Sequence, residues 1–83
     1  MKKEEVIRKV TAIVLDTMCG VNYTGEISGD TDVVVDIGAD SLDLSEIAIN
    51  IERDFGIEVS EKEIAAHPTI NGITNTVISK LVK

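Results

Sequence analysis

The chain has 83 residues, 15 acidic and 8 basic side chains for a net charge of −7, one Cys, one His, and only Tyr23 and Phe55 as aromatics. So short a chain reads as a single domain, residues 1–83, and one Cys with one His excludes an internal disulfide or a structural zinc site. The scarcity of aromatics argues against a base-stacking groove, and the acid surplus repels nucleic acid and anionic membranes while attracting basic protein surfaces.

Residues 4–18 predict an amphipathic helix. With side chains about 100° apart, Ile13, Val6, Val10, Val14, Ile7 and Met18 share a face, and Glu5, Arg8, Lys9 and Asp16 point away. Cys19 follows as a buried or half-buried small hydrophobe rather than a reactive thiol, and Gly20 ends the helix. The longest apolar run, "VTAIVL", is too short to span a membrane. Glu4, Glu5, Arg8 and Lys9 interrupt any leader, and Met18 is too bulky for the residue before a lipidated Cys. A cytoplasmic monomer is expected.

A long loop to residue 39 follows, rich in Gly25, Gly29, Asn22, Asp30 and Asp32, with Val21, Ile27 and Val33–Val35 expected to pin it to the core. Long loops in small domains are often functional. "DTDVVVDIG" hints at a calcium loop. However, Val34 and Val35 stand where a ligand oxygen and a glycine are needed, so no metal site is expected.

The next helix is predicted over 41–55, capped by Asp40, with Asp43 at its third position and Gly56 beyond its end. Its core face holds Leu44, Ile47, Ala48, Ile51 and Phe55. Leu42 and Ile49 fall nearly opposite, among Asp43, Glu46, Asn50 and Arg53. That is an apolar pair framed by charge, as a docking strip would be. "VSEKEIAAH" predicts a short helix with Ser60 and Glu63 as a capping box and Val59 stapled to Ile64. Pro68 breaks the chain, Thr69 caps the last helix, and Ile70, Ile73, Val77, Ile78 and Leu81 form its stripe. The expected fold is all-α: three main helices and one short one in a small bundle, with the long loop between the first and second.

Charge is concentrated in the middle. Residues 30–63 hold eleven acids against Arg53 and Lys62, a local net of −9. Ser41 begins the second helix inside this region. As a nucleophile it would need a base and an orienting partner, and the single His67 sits beside Pro68 at a different helix end. As a helix-start residue it needs no function. As an attachment point it makes physical sense, because a phosphate ester there meets free N–H groups and the positive end of the helix dipole.

The run "DIGADSLDLSEIAINIERDFGIEVS" resembles the acyl carrier protein family, and the similarity extends over nearly the whole chain. The resemblance implies a non-enzymatic, free-standing carrier in which Ser41 bears 4′-phosphopantetheine transferred from coenzyme A, flanked by Asp40 and Leu42. It implies that Asp43, Glu46, Ile49 and Glu52, together with Asp40 and Leu42, meet partner enzymes. Those partners would be a phosphopantetheinyl transferase, an acyl ligase or acyltransferase, and ketosynthase-type enzymes of fatty acid, polyketide or related lipid biosynthesis. The sequence departs from the family pattern at Arg53 and Val35, where acids are frequent, at Val33, where Phe is frequent, and at Asn50, where a small apolar residue is usual. Two alternatives stand beside this reading: an aminoacyl or peptidyl carrier, and an unmodified acidic helical interaction module.

Overall fold

The computed structural model describes residues 2–18 and 27–81, which form four helices and no strand: α1 (Lys3–Thr17), α2 (Ser41–Phe55), α3 (Glu61–Ala66) and α4 (Ile70–Leu81). The expectations for Cys19, Gly20, Val21, Asn22, Tyr23 and Gly25 lie outside the described residues. The all-α bundle expected from the periodicity is the observed architecture. Each helix boundary falls within a residue or so of the predicted one.

One apolar core holds the bundle together. Val6, Val10, Ile13, Val14 and Met18 enter it from α1 and its end, Leu44, Ile47, Ala48 and Ile51 from α2, Ile64 from α3, and Ile70, Ile73 and Val77 from α4. Helix α1 packs against both α2 and α4, and α3 bridges α2 and α4. Each fully buried Val or Ile is worth about 1.5–3 kcal/mol. The many aliphatics of α1, α2 and α4 therefore carry the stability, and the six residues of α3 contribute one such side chain.

Polar ties fix the α1–α2 seam. Lys9 Nζ lies 5.6 Å from the centre of the Phe55 ring. The Asn50 side-chain N–H donates to Thr17 Oγ1 at 2.9 Å, and Arg53 donates to Asn50 Oδ1 at 2.6 Å. Asn50 and Arg53 thus belong to a single network reaching α1.

The loop before α2 is held by the chain entering α4 and by its first turn. Its carbonyls at Gly29 and Thr31 accept the Asn71 and Ile70 N–H groups at 2.9 and 3.0 Å, and the Val33 N–H donates to the Pro68 carbonyl at 2.9 Å. The first turn of any helix leaves N–H groups without intrahelical acceptors. Here the loop supplies acceptors to α4, and the Thr69 hydroxyl takes the Gly72 N–H at 2.9 Å, as the sequence led one to expect.

One expectation for this loop is corrected. Val33 is fully buried, but Val34 is 38% exposed and Val35 79% exposed, so the valine run is not a pin. The cause is a single helical turn over 33–36. Asp32 Oδ1 accepts the Val34 and Val35 N–H groups, both at 2.8 Å, while Asp36 Oδ2 accepts the Asp32 N–H at 2.8 Å. A helical turn rotates successive side chains by about 100°, so only one of three consecutive valines can face inward.

Candidate functional site

The segment leading into α2 is built from local hydrogen bonds. Gly38 takes φ +90°, a conformation that L side chains rarely adopt, and this turns the chain so that the Ala39 N–H reaches the Val33 carbonyl at 2.8 Å. Ala39 is buried while Gly38 and Asp40 are exposed, so the chain is pinned one residue before the cap. Asp40 then caps α2 reciprocally with Asp43. Asp40 Oδ1 accepts the Asp43 N–H at 3.0 Å, and Asp43 Oδ2 accepts the Asp40 N–H at 3.1 Å. This carboxylate pair is a capping box with Asp in both roles.

Ser41 occupies the first position of α2 and is exposed, and its hydroxyl makes no hydrogen bond among the described residues. The backbone N–H groups of Ser41 and Leu42 belong to the first turn and have no intrahelical acceptor. The cap engages Asp43, and the Leu44 N–H reaches the Asp40 carbonyl at 2.9 Å. The hydroxyl thus stands exposed at the positive end of a fifteen-residue helix.

The other candidate residues spread over two sides of α2. At helical spacing Leu42, Glu46, Ile49 and Arg53 fall within an arc of about 60°. Leu42 is 75% and Ile49 58% exposed, and Glu46 and Arg53 are exposed beside them. Asp43 is half-buried in the cap. Glu52 lies about 60° or more off this strip. It is half-buried, and its Oε2 accepts the Val59 N–H at 3.2 Å. Ser45 on the same side donates to Glu61 Oε1 at 3.2 Å. Glu52 and Ser45 therefore tie α2 to the chain entering and beginning α3.

Val34 and Val35 are exposed features that sequence reading missed. The signal was present as an Asp32/Asp36 pair at helical spacing followed by Gly38, a cap and a stop around one turn. His67 closes α3 and lines an open cleft of about 600 Å³ between α3 and α4, with Glu63, Asn75, Thr76, Ser79 and Lys80. No residue of the Ser41 segment lines that cleft. Across it Lys80 Nζ meets Glu63 Oε2 at 2.9 Å. This bond above all, and then the Ser60 N–H, holds the Glu63 carboxyl below its ordinary value. Among the described residues no group of three or more His, Cys, Asp or Glu side chains could hold a metal ion, and no helix is long and apolar enough to cross a membrane.

A family model described as the phosphopantetheine attachment site matches residues 9–77, more than four-fifths of the chain and all of α2, α3 and the motif between them and α1. That match defines the class: a phosphopantetheine-bearing carrier domain. The chain is also 30% identical over 81 residues to the acyl carrier protein of Coprothermobacter proteolyticus, covering 98% of this chain and 96% of the relative. It is 29% identical over 79 residues to that of Thermotoga maritima, covering 95% of each, and 41% identical over 58 residues to that of Solidesulfovibrio magneticus, covering 70% and 72%. The chain belongs to the acyl carrier protein family. It is a carrier rather than a catalyst, and its prosthetic group is covalently attached 4′-phosphopantetheine. The surroundings of Ser41 fit such a group, because the hydroxyl is exposed and, among the described residues, neither it nor the Ser41 and Leu42 N–H groups has a hydrogen-bond partner.

Proposed function

We propose that Ser41 is the residue that bears the phosphopantetheine arm, and that the protein uses it to move acyl groups between enzymes of fatty acid, polyketide or related lipid biosynthesis in the cytoplasm. The observation that carries this reading is an exposed hydroxyl, without a hydrogen bond among the described residues, at the first position of a helix whose cap is locked by Asp40 and Asp43. The arm's terminal thiol supplies the chemistry, holding acyl groups as thioesters.

The chain's own residues then have simple tasks. Gly38 and the Asp40–Asp43 cap hold Ser41 at a fixed height above the surface, which lowers the ordering cost for an enzyme that must engage it. The Ser41 and Leu42 N–H groups accommodate the negative charge of a phosphodiester. The base that takes the Ser41 proton belongs to the transferase, since no side chain among the described residues bonds to the hydroxyl. Leu42 and Ile49 offer apolar contact, and Asp40, Asp43, Glu46 and Glu52 the attraction for basic partner surfaces. Glu52 brings only the carboxylate oxygen not already bonded to Val59. The expected partners are a phosphopantetheinyl transferase, an acyl ligase or acyltransferase, and ketosynthase-type enzymes.

The test is intact mass after incubation with coenzyme A and a broad-specificity phosphopantetheinyl transferase. The wild type is expected to gain the mass of one phosphopantetheinyl group, and Ser41→Ala none. No gain under conditions that modify a control carrier overturns the reading.

A further inference from the structure

Two polar side chains lie buried among the described residues, and they differ in how they are satisfied. Thr31 Oγ1 accepts the Ser28 N–H at 2.9 Å. Thr74 is 0% exposed, and its Oγ1 has no hydrogen-bond partner. Its neighbour on the same helix shows the usual remedy, since the Thr76 hydroxyl donates to the Gly72 carbonyl four residues back at 3.0 Å. Thr74 does not use the Ile70 carbonyl in this way.

Position makes this hydroxyl unusual. At helical spacing Thr74 lies on the α4 stripe, about 40° from Ile70 and about 60° from Val77, and these two and Ile73 are fully buried as it is. The rest of the core cluster is aliphatic apart from the half-buried Phe55 and the sulfur of Met18. A buried hydroxyl with no partner costs stability, and valine would fill the same shape without that cost. Nothing in the packing of this protein alone accounts for the threonine.

An acyl chain entering the bundle would bring a partner only if it carries oxygen. Burying an alkyl chain among these aliphatic side chains is favourable whatever the chain's substituents. A hydroxyl or keto oxygen on the chain loses that advantage unless it finds a hydrogen bond inside. Thr74 Oγ1 both donates and accepts, so it serves either group. We infer that Thr74 is a specificity-determining residue: its interior hydroxyl pairs with an oxygen substituent on the acyl chain folded into the bundle, so that the protein shelters oxygenated acyl groups in preference to saturated ones of equal length. The inference rests on the reading that Ser41 carries the arm.

The experiment loads wild type, Thr74→Val and Thr74→Ser by transferase from octanoyl-coenzyme A and from isomers bearing one hydroxyl at successive carbons. Intact mass verifies each loading, and thermal unfolding follows. For wild type one hydroxyl position is expected to raise the melting temperature by about 4–8 °C above the other isomers, the shift from one net hydrogen bond in a domain of this size. Thr74→Val should melt higher than wild type before loading and show no preferred position; Thr74→Ser should keep the preference. A flat scan in wild type, or the same maximum in Thr74→Val, overturns the role of Thr74 and leaves the carrier reading intact. If no chain loads onto wild type while a control carrier is loaded, the assignment of Ser41 fails and this inference falls with it.

Discussion

The starts of α2 and α3 share one local design and are anchored very differently. Each opens with a reciprocal capping box, Asp40 with Asp43 and Ser60 with Glu63. Behind the first cap, Leu44, Ile47, Ala48 and Ile51 are buried; behind the second, only Ile64. Ordering the backbone costs about 1–2 kcal/mol per residue, and a buried Ile returns about 1.5–3. One isoleucine cannot hold six residues, so α3 depends on the flanking Val59 and on ties to its neighbours. Caps decide where a helix starts, and burial decides how firmly it stays. The start of α2 that presents Ser41 is thus more firmly held than α3, which is expected to open at lower free energy than α2.

The largest effect expected from this contrast is at Ile64. Ile64→Ala should lower unfolding stability by about 2–5 kcal/mol in urea titration. Amide exchange should accelerate first across residues 61–66. Equal loss of protection over residues 41–48 would erase the distinction between the two regions.

A smaller effect separates the caps themselves. Asp40→Ala should cost about 0.5–2 kcal/mol of global stability, the usual range for a lost cap on a helix that unfolds with the whole domain. Ser60→Ala should appear mainly as faster exchange within α3, with a lesser change in melting temperature. The opposite ranking would mean that α3, not α2, is coupled to global unfolding.

The smallest effect is pH-dependent and belongs to the exposed bond between Glu63 and Lys80. The folded carboxyl lies below its ordinary 4.5, first because Lys80 donates to it and then because the Ser60 N–H does. Its contribution is therefore complete above pH 4.5 and is lost as pH falls through the lowered folded value. The stability difference between wild type and Lys80→Met should be flat above pH 4.5 and shrink below it. A difference that persists under acid would assign the effect of Lys80 to packing of its stem.

Much of this was legible in the chain because it is local. The α2 cap, the Ser60–Glu63 box, the Gly56 stop with φ +67° and the Thr69 cap are short-range signals, and the apolar stripes fix which faces meet. The exposed Leu42 and Ile49 followed from the same spacing. What escaped the sequence involves distant partners or a competing period. Glu52 looked like a free surface acid because its bond to Val59 crosses the α2–α3 turn. Val35 looked like an anchor because three valines in a row suggest burial, and one turn of helix overrode that run. The lone hydroxyl of Thr74 could not be anticipated, since its neighbour Thr76 has the same chemistry and a different fate.

The suspension of the Gly29–Val33 backbone from the beginning of α4 has an effect in time as well as in space. Residues some forty positions apart must meet before the loop that precedes the glycine turn is anchored, although the cap itself is local. A chain cut before α4 would lose the Ile70 and Asn71 donors that hold the Gly29 and Thr31 carbonyls, so the segment leading to Ser41 depends on the C-terminal helix for its anchorage.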